Sequence, residues 1–289
     1  MDILQLIKVP DTKLERFQSG ISGFDNLLGG GFVAGETLIL AGEPGSGKST
    51  LLMQVANGLA KNNFPVLYVC GEESLSQVKA RSNRLNVENP EIWVSESINL
   101  EKLYQSLEKS NQKLIIIDSL QMLYSDLKKQ DPGSPTQMRY CLRSLIQYAK
   151  DNDKILIVVG HSTKTGLIAG LLTLQHMVDA LLFLTIDDTD KSRIVSVKKN
   201  RFGAAQESWK IQMTEHGLTD NPWGIPKMQG YKEIKVPYQA IREVIDRTGA
   251  LNRYGTNGTL KWLTSQLLGR NLTSSEQFDI IFLIKKELG

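Results

Sequence analysis

The sequence is short of the residues that several classes of function require. Its 289 residues include only two cysteines, Cys70 and Cys141, far apart and in no Cys-x-x-Cys pair. That excludes a disulfide framework and a zinc ribbon, and both read as reduced core residues. The three histidines, His161, His176 and His216, show no metal-ligand spacing. With 9 prolines and a 41% hydrophobic share, the chain is neither disordered nor collagen-like. No apolar run approaches the roughly 20 residues of a membrane-spanning helix. Met1 to Pro10 lacks a basic start and a small-residue cleavage site. A cytoplasmic protein without a membrane partner is therefore expected. Charge of one sign is also scarce: 34 Lys and Arg against 31 Asp and Glu leave +3. Residues 1–219 carry 24 of each sign, so the surplus lies beyond them. Such a balance is compatible with a nucleic-acid partner without demanding one.

What is present is a regular alternation. Short apolar runs at Thr37–Ala41, Pro65–Cys70, Leu114–Ile117, Ile155–Val159 and Ala180–Thr185 are unbroken by charge and rich in Ile, Val and Leu. Strands buried on both faces of a parallel sheet have this character. Helical periodicity fills Ser49–Lys61, Leu75–Leu85, Leu100–Glu108 and Thr136–Lys150. The alternation predicts an α/β domain, a mostly parallel central sheet flanked by helices. Arg193–Val197 and Trp209–Met213 alternate as an edge hairpin does. After Asn221–Tyr231, rich in Pro and Gly, Pro237–Thr248, Leu260–Leu268 and Ser274–Leu288 read as helices. The expected division is a core over 1–220 and a linker with a small helical appendage over 221–289.

Gly42-Glu43-Pro44-Gly45-Ser46-Gly47-Lys48-Ser49 fits the phosphate-binding pattern G-x-x-x-x-G-K-[ST], with a strand running in and a helix running out. Glycines let backbone N–H groups turn toward a phosphate, and the helix N-terminus adds partial positive charge. Lys48 is expected on the β- and γ-phosphates and Ser49 on Mg²⁺, with Thr50 counted in the same ATP-binding cradle. The run Leu114–Ile117 ends in Asp118, the second candidate for the metal. Glu72 and Glu73 leave another buried strand at its carboxyl end. Their alternate directions allow at most one to face a nucleotide. Glu72 is the favoured base, Glu73 the alternative, and helix N-terminal acids placed by the dipole are the plain reading of both.

These residues resemble the RecA-like P-loop ATPases, and more narrowly the bacterial RadA (Sms) family. The matching stretches are Ser19–Gly35, the phosphate loop, Tyr68–Ser74, Gly160–Gly166, Ile168–Gly170, His176–Asp179 and Lys199–Gly203. The Lys-Asn-Arg-Phe-Gly run is the most specific, since KaiC-like and DnaB-like relatives share the phosphate loop but not that string. The resemblance implies a ring-forming ATPase, a hexamer, that moves along single-stranded DNA in recombination or replication, with recombinase or replication proteins as candidate partners. It implies that Lys199 and Arg201 reach the neighbouring subunit's nucleotide as finger residues. A solvated, pairing-resistant strand end is the plain alternative for that basic cluster. His161 is implied to sense the γ-phosphate, against the plain reading of a bonded strand-end histidine. Lys164, in Ser162–Thr173, and Lys128 and Lys129, in Tyr124–Pro135, are implied to contact DNA from channel loops. The family's amino-terminal four-cysteine zinc ribbon and large protease-like carboxyl-terminal domain have no counterpart in this sequence. The alternative functions are an ATP-switched DNA-binding accessory protein, such as a helicase loader or recombination mediator, and a KaiC-like signalling ATPase without nucleic acid.

Overall fold

Each apolar run becomes a strand, because each has a core on both sides. The computed structural model describes residues 5, 7, 14–161, 174–205 and 207–219. In chain order the elements are β1 (Arg16–Phe17), α1 (Ser22–Leu27), β2 (Phe32–Val33), β3 (Thr37–Gly42), α2 (Lys48–Lys61), β4 (Val66–Cys70), α3 (Leu75–Arg84) and β5 (Ile92–Ser95). There follow α4 (Leu100–Leu107), β6 (Leu114–Asp118), α5 (Pro135–Asp151), β7 (Ile155–His161), β8 (Ala180–Ile186), β9 (Arg193–Asn200), β10 (Ser208–Thr214) and β11 (Gly217–Thr219).

One nine-stranded sheet has the order β11-β10-β9-β8-β3-β7-β6-β4-β5. From β8 to β5 every pair is parallel, and β9 and β10 join antiparallel. Successive residues of a strand face opposite sides, and β3 divides accordingly. Leu38 and Leu40 pack with α2, while Ile39 and Ala41 pack with α4 and α5. Leu114 and Ile116 of β6 join the first core, Ile115 and Ile117 the second. The expected α/β class and mostly parallel sheet are what the fold contains.

Local signals account for the helix starts. Ser74 caps α3 in a reciprocal box with Gln77, Asn99 caps α4, and Ser134 precedes Pro135 in α5. Helix α2 differs: its cap is Gly47, which offers no side-chain bond. The chain divides into two compact units, Met1–Leu218 and Thr219–Gly289. The helical segments expected after residue 220 lie outside the described residues.

Candidate active site

The strand order brings four carboxyl ends into a row. Gly42 of β3 is in register with His161 of β7, and Asp118 of β6 with Cys70 of β4. At about 4.8 Å between strands, the phosphate loop, His161, Asp118 and Glu72 share one edge.

The loop itself is shaped by glycine at two positions. Gly47 has φ 107°, a left-handed conformation that a Cβ disfavours. A Cβ on Gly42 would lie 2.3 Å from the Leu184 carbonyl oxygen, so no side chain fits there. The first-turn N–H groups of α2 have no side-chain cap, and the Ser46 hydroxyl is buried without a partner among the described residues. Lys48 is 4% exposed, and its Nζ donates to the Gly42 and Glu43 carbonyls, both at 2.8 Å. Burial lowers the pKa of this amine, while the negative charges of Asp118, Glu72 and Glu43 oppose the shift. Arg193 Nε donates to the Ser46 carbonyl at 3.3 Å, a contact with no sequence signal.

Asp118 is buried, and its Oδ2 accepts from the Tyr68 hydroxyl at 2.5 Å. Burial, reinforced by the charge of Asp118, holds the Tyr68 pKa well above its ordinary value. Ser49, in the first turn of α2 after β3, and Asp118, at the end of β6, both lie at this carboxyl edge of the sheet. Among the described residues no group of three or more His, Cys, Asp or Glu is placed to hold a metal unaided. A Mg²⁺ suits such a pair, because it takes one or two protein oxygens and completes its shell with phosphate and water.

The adjacent acids separate as their alternate directions require. Glu72 Oε1 pairs with His161 Nε2 at 2.7 Å and accepts a short bond from the Ser119 hydroxyl. Burial pushes the Glu72 pKa up, yet Ser119, His161 and the charge of Lys48 outweigh it, and the net shift is downward. Glu73 instead pairs with Arg81 of α3.

Lys199 and Arg201 stand at the other end of the sheet. Six-residue β3 is about 17 Å long, and β9 runs antiparallel, so its last residues meet the amino ends of β8 and β3. Lys199 Nζ turns inward to the Gln175 and Val178 carbonyls, at 3.0 and 2.6 Å. Arg201, half exposed, pairs with Asp179 at 3.0 Å. Asp179 is buried and also accepts from Thr37 and Lys150. Arg16 donates to the Leu28, Gly31 and Phe202 carbonyls, which ties the loop after β9 to the segment around α1.

Lys128 Nζ lies 4.6 Å from the Tyr140 ring centroid, and Lys129 is exposed. Lys164 lies outside the described residues. Sequence reasoning missed Tyr68, Ser119, Asp179 and Arg16 as members of these sites. For Tyr68 a signal existed, since a tyrosine in a doubly buried strand needs a partner for its hydroxyl.

A family model described as an AAA domain matches residues 5–166. The DNA repair protein RadA of Helicobacter pylori is 41% identical over 215 residues, covering 74% of this chain and 48% of that protein. The DNA repair protein RadA of Bacillus subtilis is 38% identical over 243 residues, 78% of this chain and 53% of its own. The chain spans about half the length of these curated relatives. Among solved structures, a KaiC-like protein of the archaeon Pyrococcus horikoshii matches with a TM-score of 0.59 at 20% identity. That match covers 71% of this chain and 98% of the archaeal one, and shows a shared RecA-like α/β fold.

Proposed function

The chain belongs to the AAA domain family as a RadA-like, RecA-type P-loop ATPase, and on that premise we propose an oligomeric motor driven along single-stranded DNA by ATP hydrolysis. Its relatives are named DNA repair proteins, and recombination or replication is the setting the proposal adopts. The phosphate loop, residues Gly42 to Ser49 with Thr50, cradles the triphosphate, and Lys48 leaves its carbonyl partners for the β- and γ-phosphates. Ser49 and Asp118 hold Mg²⁺, which when bound neutralises charge on the phosphate oxygens. Glu72 orients the attacking water and takes its proton at Oε1, the atom now bonded to His161 and Ser119. Held ionised by these neighbours, it is a carboxylate acceptor at neutral pH. His161 moves with the γ-phosphate and passes that change to residues 162–173, where Lys164 lies.

The observation that carries the oligomeric reading is the separation of Arg201 from its own phosphate loop by the length of the sheet. A finger at that edge serves a nucleotide only in the next protomer of a ring, for which a hexamer is the proposed count. Lys199 and Arg201 then lie at each junction, and Lys128, Lys129 and Lys164 face the channel, their few charges multiplied by the number of subunits.

The purified protein tests this directly. ATP hydrolysis should rise several-fold with a single-stranded oligonucleotide, and a forked duplex should be unwound with ATP but not with ADP. Stimulation without any unwinding would leave an ATP-switched DNA-binding protein. No stimulation and no DNA affinity would leave an ATPase that acts without nucleic acid.

A further inference from the structure

We infer that Tyr68 is a positioning residue of the nucleotide site, its single hydroxyl orienting the Asp118 carboxylate beside Ser49. This rests on the proposal that those two residues hold Mg²⁺. Tyr68 lies within β4 and is fully buried in the core that faces α2. A phenol oxygen can both donate and accept a hydrogen bond, and here it does both. It donates to Asp118 Oδ2 at 2.5 Å and accepts from Arg81 Nη2 at 3.5 Å. The two partners come from different elements, Asp118 from the end of β6 and Arg81 from α3.

The consequence for the carboxylate is directional. With Oδ2 engaged by Tyr68, no hydrogen bond among the described residues engages Oδ1, which is left to meet the metal shell. Arg81 supports the phenol from behind, its guanidinium 5.8 Å from the ring centroid. Arg81 in turn is fixed by Glu73. The two adjacent acids after β4 therefore serve one site by different routes. Glu72 faces the reaction directly, while Glu73 acts through Arg81 and Tyr68. Partners that orient a metal ligand commonly contribute about 10–100-fold to metal affinity, so the hydroxyl has a measurable task.

The test is a Mg²⁺ titration of the full chain with a fluorescent ADP derivative, read as nucleotide affinity rather than turnover. In Tyr68→Phe the half-saturating Mg²⁺ concentration should rise about tenfold, with nucleotide affinity in EDTA unchanged. Superimposable titrations of this variant and the parent protein would overturn the inference. If Tyr68→Phe does not fold, Arg81→Gln replaces it and should shift the midpoint in the same direction by a smaller factor; no shift overturns it equally. Asp118→Asn separates the inference from its premise, since it should abolish the Mg²⁺ dependence altogether. A parent-like Mg²⁺ response in Asp118→Asn would refute the metal reading itself, whatever Tyr68→Phe shows.

Discussion

Glu36, one residue before β3, carries an unusual electrostatic load for a side chain remote from the reaction. It is fully buried, its Oε2 accepts from the Val33 N–H at 2.9 Å, and Oε1 has no partner among the described residues. Burial is the main cause that pushes its pKa from 4.5 up to about 7, with the charge of Asp179 adding to it and that of Arg16 opposing. The folded chain therefore binds a proton between pH 4.5 and 7 that the unfolded chain has released, so stability falls as pH rises through that window. The penalty, complete above pH 7, is about 3 kcal/mol for this shift. Glu36→Gln should be more stable than the parent at pH 8 by up to that amount, and the gain should vanish near pH 4, below the unfolded value of 4.5. Urea midpoints at the two pH values measure it, and equal gains at both would defeat the explanation. At this scale the sequence disclosed Lys48, Asp118 and Glu72, because a strand end or a glycine pattern marks each. It hid Tyr68, whose partner Asp118 is 50 residues away, and Asp179, which only the fold brings against Arg201.

Helix α2 shows what packing asks of an element beyond periodicity. Its Gly58 faces the Ser19 backbone so closely that a Cβ would stand 1.6 Å from the Ser19 carbonyl oxygen. Ser19 has little room to retreat, since its N–H and hydroxyl both donate to buried Asp25, at 2.9 and 2.7 Å. Alanine would normally favour a helix over glycine by about 1 kcal/mol. Here Gly58→Ala should instead cost about 2 kcal/mol or more, because overpacking against backbone outweighs propensity. Denaturant unfolding decides between the signs, and a stabilised variant would mean that the two segments can part. The strands β3, β4, β6, β7 and β8 were legible because burial on both faces removes polar residues from the run. By contrast β5 was not: it is an edge strand with Trp93 and Val94 exposed, and its charged flanks conceal it. Nor was α1, six residues long and fixed by Asn200 of β9 and the turn after the helix. Non-local contacts, not its own periodicity, hold it in place.

On the scale of the proposed assembly, the decisive feature is that the two candidate half-sites lie at opposite ends of one sheet. Glu72 and the phosphate loop lie at the carboxyl edge, Lys199 and Arg201 at the amino edge, tethered to Gln175, Val178 and Asp179. One continuous stretch of chain leads from His161, bonded to Glu72, to Asp179, bonded to Arg201. In the proposed ring, a change at one nucleotide thus has a covalent route to the proposed finger of the next site. Glu72→Gln should bind nucleotide normally but hydrolyse it about 10²–10⁴-fold more slowly, as loss of a general base does. Arg201→Ala should also bind normally and lose about 10³-fold or more in turnover. In a head-to-tail ring assembled from equal amounts of the two, roughly one junction in four pairs an intact base with an intact finger. Turnover should then recover toward a quarter of the parent rate, far above either variant alone. Ring formation without such recovery would show that Arg201 does not act across the junction. Recovery lost on dilution and restored on concentration would tie it to assembly.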